Sequence, residues 1–185
     1  MSKRYLVIGY WLLVIGLLAV GCGGNQVGQS LADYVNNEVL PISELERRAL
    51  ASYASVVGKN YTSDEAVYEA LKNDVLPLYK RFLDGLKRVH PTDKEVRGLH
   101  GVLLSGAESM YEGFRLKMIG LEQKDESIIR AGNSKIEKGR AENVRWRKEL
   151  VALAEKHKVG MKEDKKKTTE DGGQTTVDGK QTTED

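Results

Sequence analysis

Val96, Leu99, Leu103, Ala107, Met110, Phe114, Met118 and Leu121 recur at three- and four-residue steps. That spacing lays apolar side chains along one face of an α-helix. A strand cannot bury such a set, because its successive side chains point to opposite sides. Upstream, Val67, Leu71, Val75 or Leu78, Phe82, Leu86 and Val89 follow the same rule. Downstream, Ile128, Ile129, Ile136, Val144, Leu150, Leu153 and Ala154 make a further helix over residues 125–159. Residues 31–159 therefore read as an all-α domain, an antiparallel bundle of about four helices. A chain of 185 residues, 40% apolar and 30% charged, suits one helix-rich domain of this size.

Local signals set the boundaries. Thr62-Ser63-Asp64-Glu65 and Thr92-Asp93-Lys94-Glu95 match the capping box, in which Thr and Glu satisfy each other's free backbone donors. Gly58-Lys59-Asn60 ends a preceding helix, and His90-Pro91 separates two more, since the residue before proline avoids helical angles. One helix over residues 92–159 would reach about 100 Å at 1.5 Å per residue, too long for a compact domain. A turn is expected within residues 120–125, with Gly132-Asn133 as the alternative.

Two regularities lie inside this plan. Asn37-Glu38-Val39-Leu40-Pro41-Ile42 and Asn73-Asp74-Val75-Leu76-Pro77-Leu78 align at an offset of 36 residues, each with a proline where a helix should continue. Such a proline removes a backbone bond and crowds the carbonyl four residues back. A kink is expected at Pro77. At Pro41 a restart is expected, because Ser43-Glu44-Leu45-Glu46 offers another capping box. The N-terminal helices are thus read as Pro-kinked. Gly106, Gly113, Gly120, Ser127, Ser134 and Ala141 also fall every seventh residue, and Gly132 and Gly139 share that spacing. Glycine costs about 1 kcal/mol against alanine inside a helix, so close helix packing is the expected return.

The ends differ from the body. Lys3 and Arg4 precede an apolar run over residues 5–20 that ends in small residues and Cys22, the only cysteine. This is the layout of a secretory signal, and the run is shorter than the roughly 20 residues that cross a bilayer. Leu18-Ala19-Val20-Gly21-Cys22 resembles the lipobox of bacterial lipoproteins, with Ala19 in place of the more usual Leu. The resemblance covers residues 1–22 and implies cleavage before Cys22 and lipid, palmitate included, on that cysteine. It also implies a place in the cell membrane, anchored on the extracytoplasmic side. Gly23 and Gly24 lack the aspartate associated with inner-membrane retention, which favours the outer membrane in a cell with two. Residues 22–30 read as a flexible tether and residues 160–185 as a disordered tail, because Val177 is the tail's only large apolar residue after Met161. Removing residues 1–21 discards Lys3 and Arg4 and cancels the formal charge of +2.

The body is poor in catalytic and metal motifs. Among His90, His100 and His157, none stands three after a Glu, so the Glu-x-x-His pairs of di-metal bundles are missing. His90 and His157 suit helix ends, and His100 alone lies within a helix. No Gly-x-Ser-x-Gly elbow occurs, and Glu108 and Glu112 read as ordinary exposed acids. The sequence thus points to no catalysis, cofactor or metal, and the balanced charge gives no field for nucleic acid. One basic cluster, residues 135–148, offers Lys138, Arg140, Arg145, Trp146 and Arg147 as a surface for an envelope protein, anionic lipid or cell-wall polymer. The expected function is an envelope lipoprotein acting as a binding or structural module. The alternative is a small-ligand or metal carrier using the bundle core near His100.

Overall fold

In a computed structural model, which describes residues 18–20 and 26–161, the chain is an all-α bundle of about four helices. Of the expected signal segment only Leu18–Val20 is described; residues 1–17 and 21–25, Cys22 among them, and the tail from residue 162 lie outside the described residues. The first rod joins α1 (Gln26–Asp33), a π turn (Tyr34–Val39) and α2 (Leu40–Ala54). The second joins α3 (Asp64–Ala70), a π turn (Leu71–Val75) and α4 (Leu76–Leu86). Two long helices complete the bundle, α5 (Lys94–Gln123) and α6 (Glu126–Lys156). Leu18–Val20 (β1) pairs antiparallel with Val159–Met161 (β2), the one two-stranded ladder among the described residues.

The two prolines act alike. Pro41 and Pro77 each follow a π turn, in which Leu40 N–H reaches Val35 O and Leu76 N–H reaches Leu71 O. A π turn holds one more residue than an α turn, so it absorbs the donor that proline lacks without ending the rod. The restart expected at Pro41 does not occur: Ser43 Oγ donates to Leu40 O at 2.7 Å, and Glu46 is buried rather than capping. The 36-residue repeat is thus a repeat of structure. Its copies pack on each other, and a Cβ on Gly85 of α4 would stand 3.1 Å from Ile42 of α2.

Each helix start falls one residue later than the capping boxes imply. Ser63 accepts from Ala66 N at 3.1 Å, and Asp93 accepts from Glu95 N and Val96 N at 2.8 and 3.0 Å. This shift puts Asp64 and Glu65 in the first turn of α3, where the positive end of the helix dipole meets them. Residues 26–30, expected as tether, are helical instead. Leu31 is fully buried, and Gly28 and Ala32 are buried with it on the same helix, so this segment has a core to join.

The turn between α5 and α6 lies where expected. Lys124 takes left-handed angles, Asp125 N–H closes onto Gly120 O at 2.8 Å, and Asp125 caps α6 through Ser127 N and Ile128 N. From this turn the two helices pack backbone on backbone. A Cβ on Gly113 would stand 2.7 Å from Ile136 N and 2.8 Å from Gly132 O. A Cβ on Gly132 would stand 2.7 Å from Lys117 N, and one on Gly139 would overlap the Met110 side chain. Ser127, Ser134 and Ala141 are exposed and take no part in this seam. The turn resets the register, and on α6 the small stripe continues through Gly132 and Gly139.

Candidate functional site

The expected basic surface on α6 does not gather as one patch. Lys138 is exposed, and Arg140 is paired to Glu137 at 2.6 Å. Arg145 spans Glu142 at 3.6 Å and Glu149 at 2.7 Å. Trp146, expected among these bases at the surface, is 2% exposed and belongs to the core. Its position is fixed by the helical period, since Ile136, Gly139, Asn143, Trp146 and Leu150 form one buried stripe. Arg147 is half-buried and its charge acts on a carboxylate inside the bundle.

That carboxylate belongs to Glu46, which is 2% exposed on α2. Tyr79 OH of α4 donates to Glu46 Oε1 at 3.5 Å, and Asn143 Nδ2 of α6 donates to the same oxygen at 3.2 Å. The three helices therefore share one polar centre, set above an aromatic run. Tyr79 meets Phe82 and Phe114 edge-on at 5.5 and 5.3 Å, and Phe114 meets Tyr53 at 4.9 Å. Burial pushes the Glu46 carboxyl up to about 7, against the opposing pull of Arg147 and of its two donors. Burial and the adjacent carboxylate hold the Tyr79 phenol well above its ordinary range.

A small cavity adjoins this centre, lined by Val39, Ser43, Phe82 and Leu103 with Glu46, Asn143 and Arg147, and with Trp146 on its wall. It leaves about 10 Å³ for the centre of a water molecule, roughly the room for a single water. Asn143 Oδ1 and Trp146 Nε1 are buried there without a hydrogen-bond partner of good geometry. Asn143 Oδ1 lies against Gly106, 2.8 Å from where a Cβ would stand, so the seam glycine makes space for this amide. Above the cavity, Tyr34 OH lies 3.3 Å from His100 Nδ1 and their rings meet edge-on at 5.7 Å. Burial raises the Tyr34 phenol, and Trp146 lies close enough to temper that rise. Burial lowers His100, with the charge of His90 acting the same way.

Chemically, this arrangement can hold a proton on a carboxyl near neutrality and retain one small polar molecule. It has no room for an organic ligand, and among the described residues no three His, Cys, Asp or Glu side chains come together to hold a metal ion. His157 caps α6 and lies 3.4 Å from Glu95, as a helix-end histidine should. His90 stands exposed beyond the end of α4. Glu46, Tyr79 and Asn143 were not singled out from the sequence as a site. The 36-residue repeat carried the signal, because it aligns Glu46 with the core residue Phe82. Comparison with protein-family models, with curated proteins and with solved structures finds no significant match to this chain.

Proposed function

We propose that the chain is a lipid-anchored protein of the cell envelope whose helical bundle is a non-catalytic binding or structural module. The observation that carries this reading is the motif Leu18-Ala19-Val20-Gly21-Cys22 after an uncharged apolar run. Lipid on Cys22 would supply several acyl chains at ~0.8 kcal/mol per buried methylene, enough for stable attachment. Among the described residues no helix is long and apolar enough to cross a membrane. The filled interior supports a role for the surface, since the cavity beside Glu46 leaves only about 10 Å³. Lys138, Arg140 and Arg145 remain the α6 bases within reach of an envelope protein, anionic lipid or cell-wall polymer.

The test is Cys22→Ala, followed by membrane fractionation and labelling with radioactive palmitate. The expected result is loss of label and either an uncleaved precursor or release from the membrane fraction. Cleavage and membrane retention that both persist in the variant would overturn the anchor.

A further inference from the structure

We propose that the end of the bundle where α4 and α6 finish and α5 begins is a docking surface for anionic lipid headgroups; this rests on the lipid-anchor reading of Cys22. α1 starts at Gln26, four residues after Cys22. At up to about 3.6 Å per residue, a lipid on Cys22 is held within about 14 Å of that start. The first rod runs in the same direction as α5, because Tyr34 meets His100 and Tyr53 meets Phe114. Gln26 is therefore level with the first turn of α5. α6 returns antiparallel and brings Lys156 and His157 to Glu95, while Leu86 at the end of α4 bonds His100.

The exposed charges at the two ends of the bundle differ in sign. At the tethered end Lys87, Arg88, Lys94, Arg97, Lys156 and Lys158 are exposed, against Asp93, Glu95 and Glu155. Lys156 pairs with Glu95, and Lys87 reaches Glu108 at 3.2 Å. At the opposite end Asp64, Glu65, Glu122, Asp125 and Glu126 outnumber Lys59, Lys124 and Arg130, the last paired with Glu126 at 3.0 Å. Helix dipoles account for acids at the starts of α3 and α6 and for Lys156 at the end of α6. They do not account for Lys94 and Arg97, which stand in the first turn of α5 against the dipole. An anionic leaflet attracts such bases only within about a Debye length, ~10 Å at 0.1 M salt. The short tether keeps this end within a few ångströms of that range even at full stretch, whereas the acidic end lies a further helix length of about 45 Å away.

The test uses the full lipidated chain in vesicles, with a fluorophore on His90→Cys at the tethered end or on Gln123→Cys at the far end. Both positions are exposed, and lipidation leaves no competing thiol at Cys22. In vesicles of equal parts phosphatidylcholine and phosphatidylglycerol, a headgroup quencher should act several-fold more strongly on position 90 than on position 123. Pure phosphatidylcholine should shrink that contrast. So should Arg88→Gln with Lys94→Gln, by about fivefold in headgroup affinity for each charge removed. Equal quenching at the two positions, or a contrast unchanged by lipid charge and by the double variant, would overturn the docking surface while the anchor stands. A free Cys22 thiol, with an N-terminal peptide of unmodified mass and no flotation with vesicles, would instead overturn the anchor and the surface with it.

Discussion

The two halves of the bundle reach the same architecture by different means. The N-terminal rods are joined by large side chains: Tyr79, Phe82, Val39, Val75 and Leu71 interdigitate and are almost wholly buried. The α5–α6 hairpin is joined by the absence of side chains, with Gly106 and Gly113 facing Gly139 and Gly132 and with Gly120 against the Ile129 backbone. In the first region contact scales with the atoms present. In the second it depends on atoms kept out, so the smallest possible addition is the damaging change. Glu46 and Asn143 lie where the two regions meet, and there a polar group replaces both kinds of packing.

Substitutions should separate these regimes. Phe82→Ala removes a side chain that is 1% exposed in the side-chain-packed half. It should cost about 3–5 kcal/mol in urea unfolding. A cost below about 1 kcal/mol would mean that this half is as loosely filled as a surface. Next comes Glu46→Gln. The folded carboxyl titrates at about 7 against an ordinary 4.5, so the folded state binds the proton more tightly. Stability from this group is therefore full below 4.5 and is lost as pH rises through 7. Relative to Glu46→Gln, the parent should lose about 3 kcal/mol across that window, read as the difference between two stability–pH curves. Parallel curves would show that Glu46 titrates normally.

Gly113→Ala adds one methyl against backbone atoms 2.7–2.8 Å away and should destabilise by about 1–3 kcal/mol. Gly101→Ala makes the same change on the same helix where nothing lies within 4 Å. It should raise stability by up to about 1 kcal/mol through helix propensity alone. Both are read by thermal and denaturant unfolding. Equal effects from the two would erase the distinction between seam and open face.

Much of this was legible in the sequence, and the failures have physical causes. The helical period of α5 and α6, the turn near Lys124 and the packing role of Gly106, Gly113 and Gly120 follow from spacing alone. The repeat around Pro41 and Pro77 was visible too. Its π turns were not, because proline chemistry says only that an α-helical bond is lost and leaves open how the chain absorbs it. Ser43 and Glu46 matched a cap, yet a cap needs a helix start and the rod runs on. Trp146 stands among charged neighbours along the chain, although its partners around the helix are Gly139, Asn143 and Leu150. Periodicity outranked local composition in each of these cases. The cavity beside Glu46 depends on side chains from α2, α4, α5 and α6 meeting at one point, which no single stretch encodes.

The glycine seam also fixes a timescale. Where the α5 and α6 backbones touch, the amides of Ile136, Lys117 and Met110 are covered by the opposite helix as well as held within their own. Water cannot reach them by fraying of either helix alone. Their hydrogens should exchange with solvent only when the whole bundle opens, at the protection set by global unfolding. Those at the exposed face of α5 around Gly98 and Gly101 should exchange through local opening long before. The slowest clock in the molecule then lies along the row of residues with the least side chain.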